Sequence, residues 1–390
     1  MTLVYLVAGE HSGDVLGARL MGALRAARPE LRFAGIGGPR MAAAGLHSLF
    51  PMHELAVMGL LEILPRLRLL RRRLAETVAD VRARRPDVVV TIDSPGFTLR
   101  LLKQLRGAAF PRVHYVAPQV WAWHEQRVKT FPGLWDRLLC LLPFEEQFFA
   151  GHGLPARFVG HPVLESGAGE GDAGRFRARH GLAADARVVV LMPGSRRSEA
   201  PRLLPVFGDM LALLAPDMPG LVPVVPIAAA VAATVGRATA RWRVKPLIVT
   251  DLDDKHDAYA AASAALTKSG TSTLELALAG VPMAVAYRVN PITAAIARRM
   301  IRVPHVAMVN LLAGRRIVPE LLQQDCTGPK LAATLRALMQ DGAAADAQRT
   351  AFRAVLASLA APVGRPSAAA AAEILALLAA AKAALGSALV

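Results

Sequence analysis

Short apolar runs recur along the first half of the chain at 3–7, 32–36, 88–92, 113–116, 137–141 and 158–159, each followed by a helical segment. The same alternation returns at 187–191, 221–225, 247–249, 264–267 and 282–286. Strands that read as unbroken apolar runs and alternate with helices predict a mostly parallel sheet covered on both faces, an α/β fold. At 390 residues the chain exceeds one small core, so two such domains are expected. A linker rich in Gly and acidic residues, 165–174, separates the halves, and A-P-V-G-R-P-S at 361–367 breaks the chain before a last Ala/Leu helix. The expected boundaries are 1–165, 166–362 and 363–390. The last helix has no partner nearby in sequence, so it packs on the first domain or on another subunit, the latter giving a homodimer.

In sheets of this kind a ligand sits beyond the carboxyl ends of the strands, which makes the segments that follow them the candidates. After the first strand comes Ala8-Gly9-Glu10-His11-Ser12-Gly13-Asp14, whose glycines permit a tight turn into a helix. Ser12 or Asp14 reads equally as a helix cap. Gly37-Gly38-Pro39 follows the second strand and is ordinary turn chemistry. Asp93-Ser94-Pro95-Gly96 follows the third; Asp93 is either a partly desolvated general base or the N-cap of the next helix. Trp121 and Trp123, two of four tryptophans, can wall a sugar ring or an acyl chain, or fill the core.

In the second half, Met192-Pro193-Gly194-Ser195-Arg196-Arg197 enters a helix with two arginines beside it. Backbone N–H groups at a helix start favour an anion, and Arg196 could neutralise a leaving diphosphate. The stretch 266–285 reads strand, loop, helix, strand, with Ser269, Gly270, Thr271 and Ser272 at the helix start. Glu275 lies in the first turn, where a carboxylate suits a ribose diol or simply complements the helix dipole. Asp251-Leu252-Asp253-Asp254 invites a metal reading, but no further ligand accompanies it and a solvated loop is favoured. Asn310 is part of a polar interruption in apolar sequence at 309–315.

Composition narrows the partners. Hydrophobic residues make up 54% and charged residues 19%, which excludes a disordered chain. Cys140 and Cys326 are the only cysteines and imply neither a disulfide framework nor a zinc site. The formal net charge of +16 calls for an anionic partner. Nucleic acid fits poorly, because the arginines are not interleaved with stacking aromatics. Between Val57 and Arg85 they interleave with Leu, Ile and Met, which suits an anionic membrane surface or a core-facing helix with a solvated basic face. Arg298, Arg299 and Arg302 form a second such patch. The first residues lack a basic leader and read as a strand, and Glu373 and Lys382 interrupt the apolar tail, so no bilayer span and a cytoplasmic protein are expected.

The ordered set A-G-E-H-S-G-D, I-G-G-P-R-M, I-D-S-P-G-F, H-Y-V-A-P-Q-V-W-A-W, L-P-F-E, F-V-G-H-P, P-G-S-R-R-S-E, S-G-T-S-T-L-E, V-N-L-L-A-G-R and P-E-L-L-Q resembles the lipid-A-disaccharide synthase family of inverting glycosyltransferases. The resemblance spans nearly the whole chain and implies a GT-B fold, two Rossmann-like parallel-sheet domains facing a cleft. It implies transfer of 2,3-diacylglucosamine from its uridine-diphosphate ester (the UDP-sugar) to 2,3-diacylglucosamine 1-phosphate, without metal or other cofactor. Carried onto this chain, Asp93 is the base. Arg196, Ser195, Gly270 and Thr271 face the diphosphate, while Glu275 and Asn310 contact the rest of the donor. Glu10, Ser12, Gly13 and Asp14 border the acceptor. The enzyme would sit peripherally on the cytoplasmic face of the inner membrane. A UDP-sugar 2-epimerase built on the same fold is the rival.

Overall fold

The computed structural model describes residues 2–55, 60–194, 200–290 and 303–387. They form two compact units, Met1–Pro162 with Leu359–Val390, and Val163–Ser358.

The first unit is built on a six-stranded parallel sheet with strand order β2-β1-β3-β4-β5-β6. Its strands are β1 (Leu3–Ala8), β2 (Arg32–Ile36), β3 (Val88–Ile92), β4 (Arg112–Tyr115), β5 (Arg137–Cys140) and β6 (Ala156–Phe158). Alternate residues serve opposite faces. Val4 and Leu6 pack with Leu20 and Leu24 of the helix His11–Ala27, while Tyr5 and Val7 pack with Phe97 and Leu101 of the helix Pro95–Gln104. Burial from both sides is why these strands read as apolar runs without alternation.

The helix Pro366–Ser387 belongs to this unit: Ala370, Ala371, Ile374 and Leu378 join the cluster around Leu20. By length and composition it could cross a membrane, which the expectation from Glu373 and Lys382 did not allow. Here Glu373 lies 3.5 Å from Arg137 and Lys382 donates to Thr2 Oγ1 at 2.9 Å, so both interruptions are docking contacts. On the helix Leu60–Arg84, Leu70, Leu74, Val78 and Val81 make an inward stripe. Arg73 on the same helix pairs with Glu54 and Glu76. Residues 57–59 and the patch at 298–302 lie outside the described residues.

The second unit also carries a six-stranded parallel sheet, ordered β12-β11-β10-β7-β8-β9. Its strands are β7 (Arg187–Met192), β8 (Leu221–Pro226), β9 (Leu247–Val249), β10 (Ala262–Thr267), β11 (Met283–Tyr287) and β12 (Glu320–Leu322). The favoured reading of Asp251–Asp254 as a solvated loop is corrected. Asp251 caps the helix Leu252–Ala261 by accepting the Asp254 N–H at 2.9 Å, and Asp254 pairs with Arg179 and His180 at 2.7 and 3.0 Å. Buried Asp257 is bonded to Arg175, whose guanidinium holds this carboxyl below its usual range.

Glu145, at the start of the helix Pro143–Gly151, is a buried acid of the first unit. Its Oε2 accepts the Leu141 and Leu142 N–H groups and its Oε1 the Trp121 indole, yet burial pushes its pKa from 4.5 up to about 7. A raised carboxyl pKa means that the folded state binds the proton more tightly, so stability present below pH 4.5 is lost as pH rises toward 7. Glu145→Gln is therefore expected to flatten the stability profile across that window, by up to about 3 kcal/mol, read from urea midpoints at several pH values.

Candidate active site

Each sheet has one place where its winding reverses. In the first it lies between β1 and β3, and in the second between β7 and β10. Ala8 pairs with Ile92 and Met192 with Thr267, so within each unit the two loops leave at the same level, opening a crevice at the carboxyl edge.

In the first unit these loops are Gly9-Glu10 and Asp93-Ser94. Asp93 and Ser94 are consecutive left-handed residues, with φ of +52° and +48°. Such backbone costs on the order of 1 kcal/mol or more per non-glycine residue and persists only where its surroundings hold it. The restraints are on both sides: the Asp93 N–H donates to the Tyr115 carbonyl at 2.9 Å, and Thr98 Oγ1 donates to the Asp93 and Ser94 carbonyls at 2.7 and 3.0 Å. Ser94, not Asp93, occupies the N-cap, and its side chain makes no capping bond. The half-buried Asp93 carboxylate instead accepts the Ser12 hydroxyl at 3.2 Å.

Glycines make this approach feasible. A Cβ on Gly9 would stand 2.7 Å from Ser94 Oγ, and one on Gly13 would meet Ala8 Cβ at 3.3 Å and the Ile92 carbonyl at 3.4 Å. Glu10 is the N-cap of the helix His11–Ala27, its carbonyl accepting the Asp14 N–H at 3.0 Å.

Asp14 departs from its expected place beside the acceptor. It is wholly buried and accepts the N–H groups of Gly38, Arg40 and Met41 at 2.9, 3.0 and 2.9 Å, capping the helix Pro39–Ala43 and fixing the Gly37-Gly38 turn. Three orphan helix-start donors recruit it inward. Trp121 is likewise committed, bonded to Glu145 and edge-on to Phe144 with ring centres 4.8 Å apart. Trp123, 46% exposed and 4.6 Å from the His124 ring, is the tryptophan presented to solvent at this edge.

In the second unit, Ser195 and Arg196 lie outside the described residues. Of the facing loop, Gly270 has φ +152° and Thr271 is the exposed N-cap of a seven-residue helix, Ser272–Leu278. The hydroxyls around them serve the loop itself: Ser269 Oγ donates to the Val306 carbonyl, Thr273 Oγ1 to Gly270, and Thr267 bonds to Ser272. The N–H groups of Thr273, Leu274 and Glu275 are taken by Gly270 and Thr271, which limits what this loop offers an anion to residues 270–272. Glu275 Oε2 receives Lys255 Nζ at 2.7 Å and Tyr259 OH at 3.1 Å. Neither partner had drawn notice in the sequence, although their spacing of four on one helix puts them on one face.

Asn310 is fully buried and saturated by the chain. Its amide donates to Val318 and Glu320, and its oxygen accepts from Ile317 and Val318, all at 2.8 to 2.9 Å. A side chain with four satisfied positions has no capacity for the donor contact expected of it. It acts through Glu320, which also holds the Val306 and Ala307 N–H groups and so places the carbonyl that anchors Ser269. Away from these edges, an open groove of about 580 Å³ lies at the amino ends of β3 and β4, lined by Arg82, Arg85, Arg106, Phe110 and Lys382. Its cations sit beside helix carboxyl ends, whose dipoles they complement.

Two doubly wound units, each with its loops gathered at one strand-end crevice, define a GT-B architecture. The likeness to solved structures agrees: a UDP-GlcNAc 2-epimerase from Neisseria meningitidis bound to UDP-GlcNAc superposes with TM-score 0.63 at 12% identity, over 96% of this chain and 98% of that one. A calicheamicin glycosyltransferase gives 0.58 at 19% identity over 97% and 98%. The chain belongs to the lipid-A-disaccharide synthetase family, whose model matches residues 4–374. It is 65% identical to the lipid-A-disaccharide synthase of Granulibacter bethesdensis over 96% of this chain and 98% of the relative, and 64% identical to that of Gluconobacter oxydans over 96% and 91%. The epimerase shares the fold alone, and membership of the synthetase family over residues 4–374 leaves the epimerase rival not favoured.

Two substitutions separate geometry from stability. Gly9→Ala is expected to displace the Asp93-Ser94 turn and lower turnover on the order of a hundredfold, with the thermal midpoint shifted by only a few degrees. Asp14→Ala should instead cost roughly 2–4 kcal/mol of stability in denaturant titration, because three helix-start N–H groups lose their acceptor.

Proposed function

We propose that this chain transfers 2,3-diacylglucosamine from its UDP ester to the 6-hydroxyl of 2,3-diacylglucosamine 1-phosphate, yielding the β-1,6 disaccharide 1-phosphate and UDP. The observation that carries the mechanism is Asp93, held at the carboxyl end of β3 in a left-handed turn with its carboxylate directed to Ser12 rather than into a helix cap. A base fixed by backbone on both sides loses little freedom on meeting its proton donor.

Asp93 takes the proton of the acceptor 6-hydroxyl as its oxygen attacks the donor's C1 from the face opposite the nucleotide. The C1–oxygen bond to the diphosphate breaks and UDP leaves with the electron pair, which inverts the centre. Arg196, Ser195 and the backbone at residues 270–272 stabilise the charge that builds on the diphosphate, and Glu275 holds the ribose diol. Trp123 offers an apolar wall for an acyl chain. The basic segments at 57–85 and 298–302 hold the enzyme peripherally on the anionic cytoplasmic face of the inner membrane, where both lipid substrates reside.

Disaccharide formation from the two purified substrates, followed by mass spectrometry with chelator present, tests this reading. Wild type should turn over, and Asp93→Asn should lose roughly 10²–10⁴-fold in kcat with little change in KM for the UDP-sugar. Full activity in the variant would remove Asp93 from the mechanism while leaving the reaction. A folded wild type that makes no disaccharide but epimerises a UDP-sugar would overturn the reaction itself.

A further inference from the structure

We infer that Lys255 and Tyr259 are positioning residues for the nucleotide: together they pin Glu275 Oε2 so that Oε1 alone is presented to the ribose hydroxyls. The inference rests on the reading that Glu275 holds the ribose, and gives that contact a geometry.

Tyr259 is 1% exposed, and its hydroxyl has two neighbours, Glu275 Oε2 at 3.1 Å and Met192 Sδ at 3.3 Å. One proton serves one of them, and the carboxylate is much the stronger acceptor. Burial and the adjacent carboxylate raise the Tyr259 pKa well above its ordinary value, so the phenol remains a donor. Met192 ends β7 and Glu275 stands on the helix after β10, so this ring is wedged between the two segments that border the crevice.

Lys255 lies one helical turn before Tyr259, with Nζ 2.7 Å from Glu275 Oε2 and 5.5 Å from the tyrosine ring centre. The ion pair is largely shielded, with side-chain exposures of 21% and 24%, which strengthens it relative to a surface pair. Oε2 thus has two donors, while Oε1 has none among the described residues. The pinned oxygen fixes the carboxylate plane before any ligand arrives. Both diol hydroxyls then compete for the lone pairs of Oε1, and rotation of Glu275 toward the helix start is prevented.

The alternative is that Lys255 and Tyr259 merely neutralise and pack the carboxylate. The two accounts differ in how they treat a nucleotide without hydroxyls. Binding of UDP and of 2′,3′-dideoxyuridine diphosphate to the full chain is measured by titration calorimetry for wild type, Glu275→Gln, Lys255→Met and Tyr259→Phe, with thermal midpoints recorded for each. Wild type should prefer UDP by at least about tenfold, as expected for hydrogen bonds to a charged acceptor. Each positioning variant should shrink that preference several-fold, Tyr259→Phe should leave the dideoxy affinity unchanged, and Lys255→Arg should restore most of the preference. If Glu275→Gln keeps the full preference, the ribose reading falls and this inference with it. If Glu275→Gln loses the preference while Lys255→Met and Tyr259→Phe retain it, only the positioning role is overturned. Equal loss of both ligands in Tyr259→Phe would also overturn it, since that variant changes no charge and a hydroxyl acting only through Glu275 leaves a ligand without the diol unaffected.

Discussion

A parallel sheet that winds in two directions must part its loops where the winding reverses, and in both units candidate residues, Asp93 in one and Glu275 in the other, follow the strands at that parting. In the first unit the constraint is visible in the packing: the helix after β1 covers the face of Val4 and Leu6, while the helix after β3 covers the face of Tyr5 and Val7. Adjacent strand ends therefore send their chains to opposite sides, and the backbone between them is left open to a ligand. Gly9 and Gly13 let the two departures crowd together, and the left-handed turn at Asp93 aims a carboxylate into the opening rather than along the following helix.

Much of this architecture was legible because a strand buried on both faces leaves an unbroken apolar run, and all but one of the twelve strands among the described residues were anticipated to within about two residues at most ends. The exception, β12, has three residues and begins with Glu320, whose side chain serves a neighbouring segment. Strand-end loops stood out as candidates for the same topological reason. What the sequence could not separate was which polar residues face the crevice and which face inward. Asp14 and Asn310 have the composition of ligands, yet one caps a helix and the other saturates itself on residues 317–320. A buried N–H group recruits a carboxylate or amide as readily as a substrate does, and its location emerges only from tertiary packing.

The second unit shows the converse. The acidic run beginning at Asp251 resembled solvated loop because its partners, Arg175, Arg179 and His180, lie some 75 residues earlier in the chain. That network anchors the helix that carries Lys255 and Tyr259, the two donors to Glu275 Oε2. Asp93 and Glu275 are thus alike: each is a carboxylate whose direction is decided by donors on another element.

The helix Pro366–Ser387 has a consequence for how the molecule is made. Its Ile374 and Leu378 complete the same cluster as Leu20 and Leu24, although roughly 200 residues of the second unit are translated in between. At about 5–20 residues per second the first sheet waits on the order of 10–40 s on the ribosome with the part of that cluster filled by Ile374 and Leu378 uncovered. The second unit, continuous in sequence, has everything it needs as soon as Ser358 emerges. The part that starts first is therefore finished last, and during that interval a nascent chain exposes an apolar surface that chaperones and neighbouring nascent chains can reach.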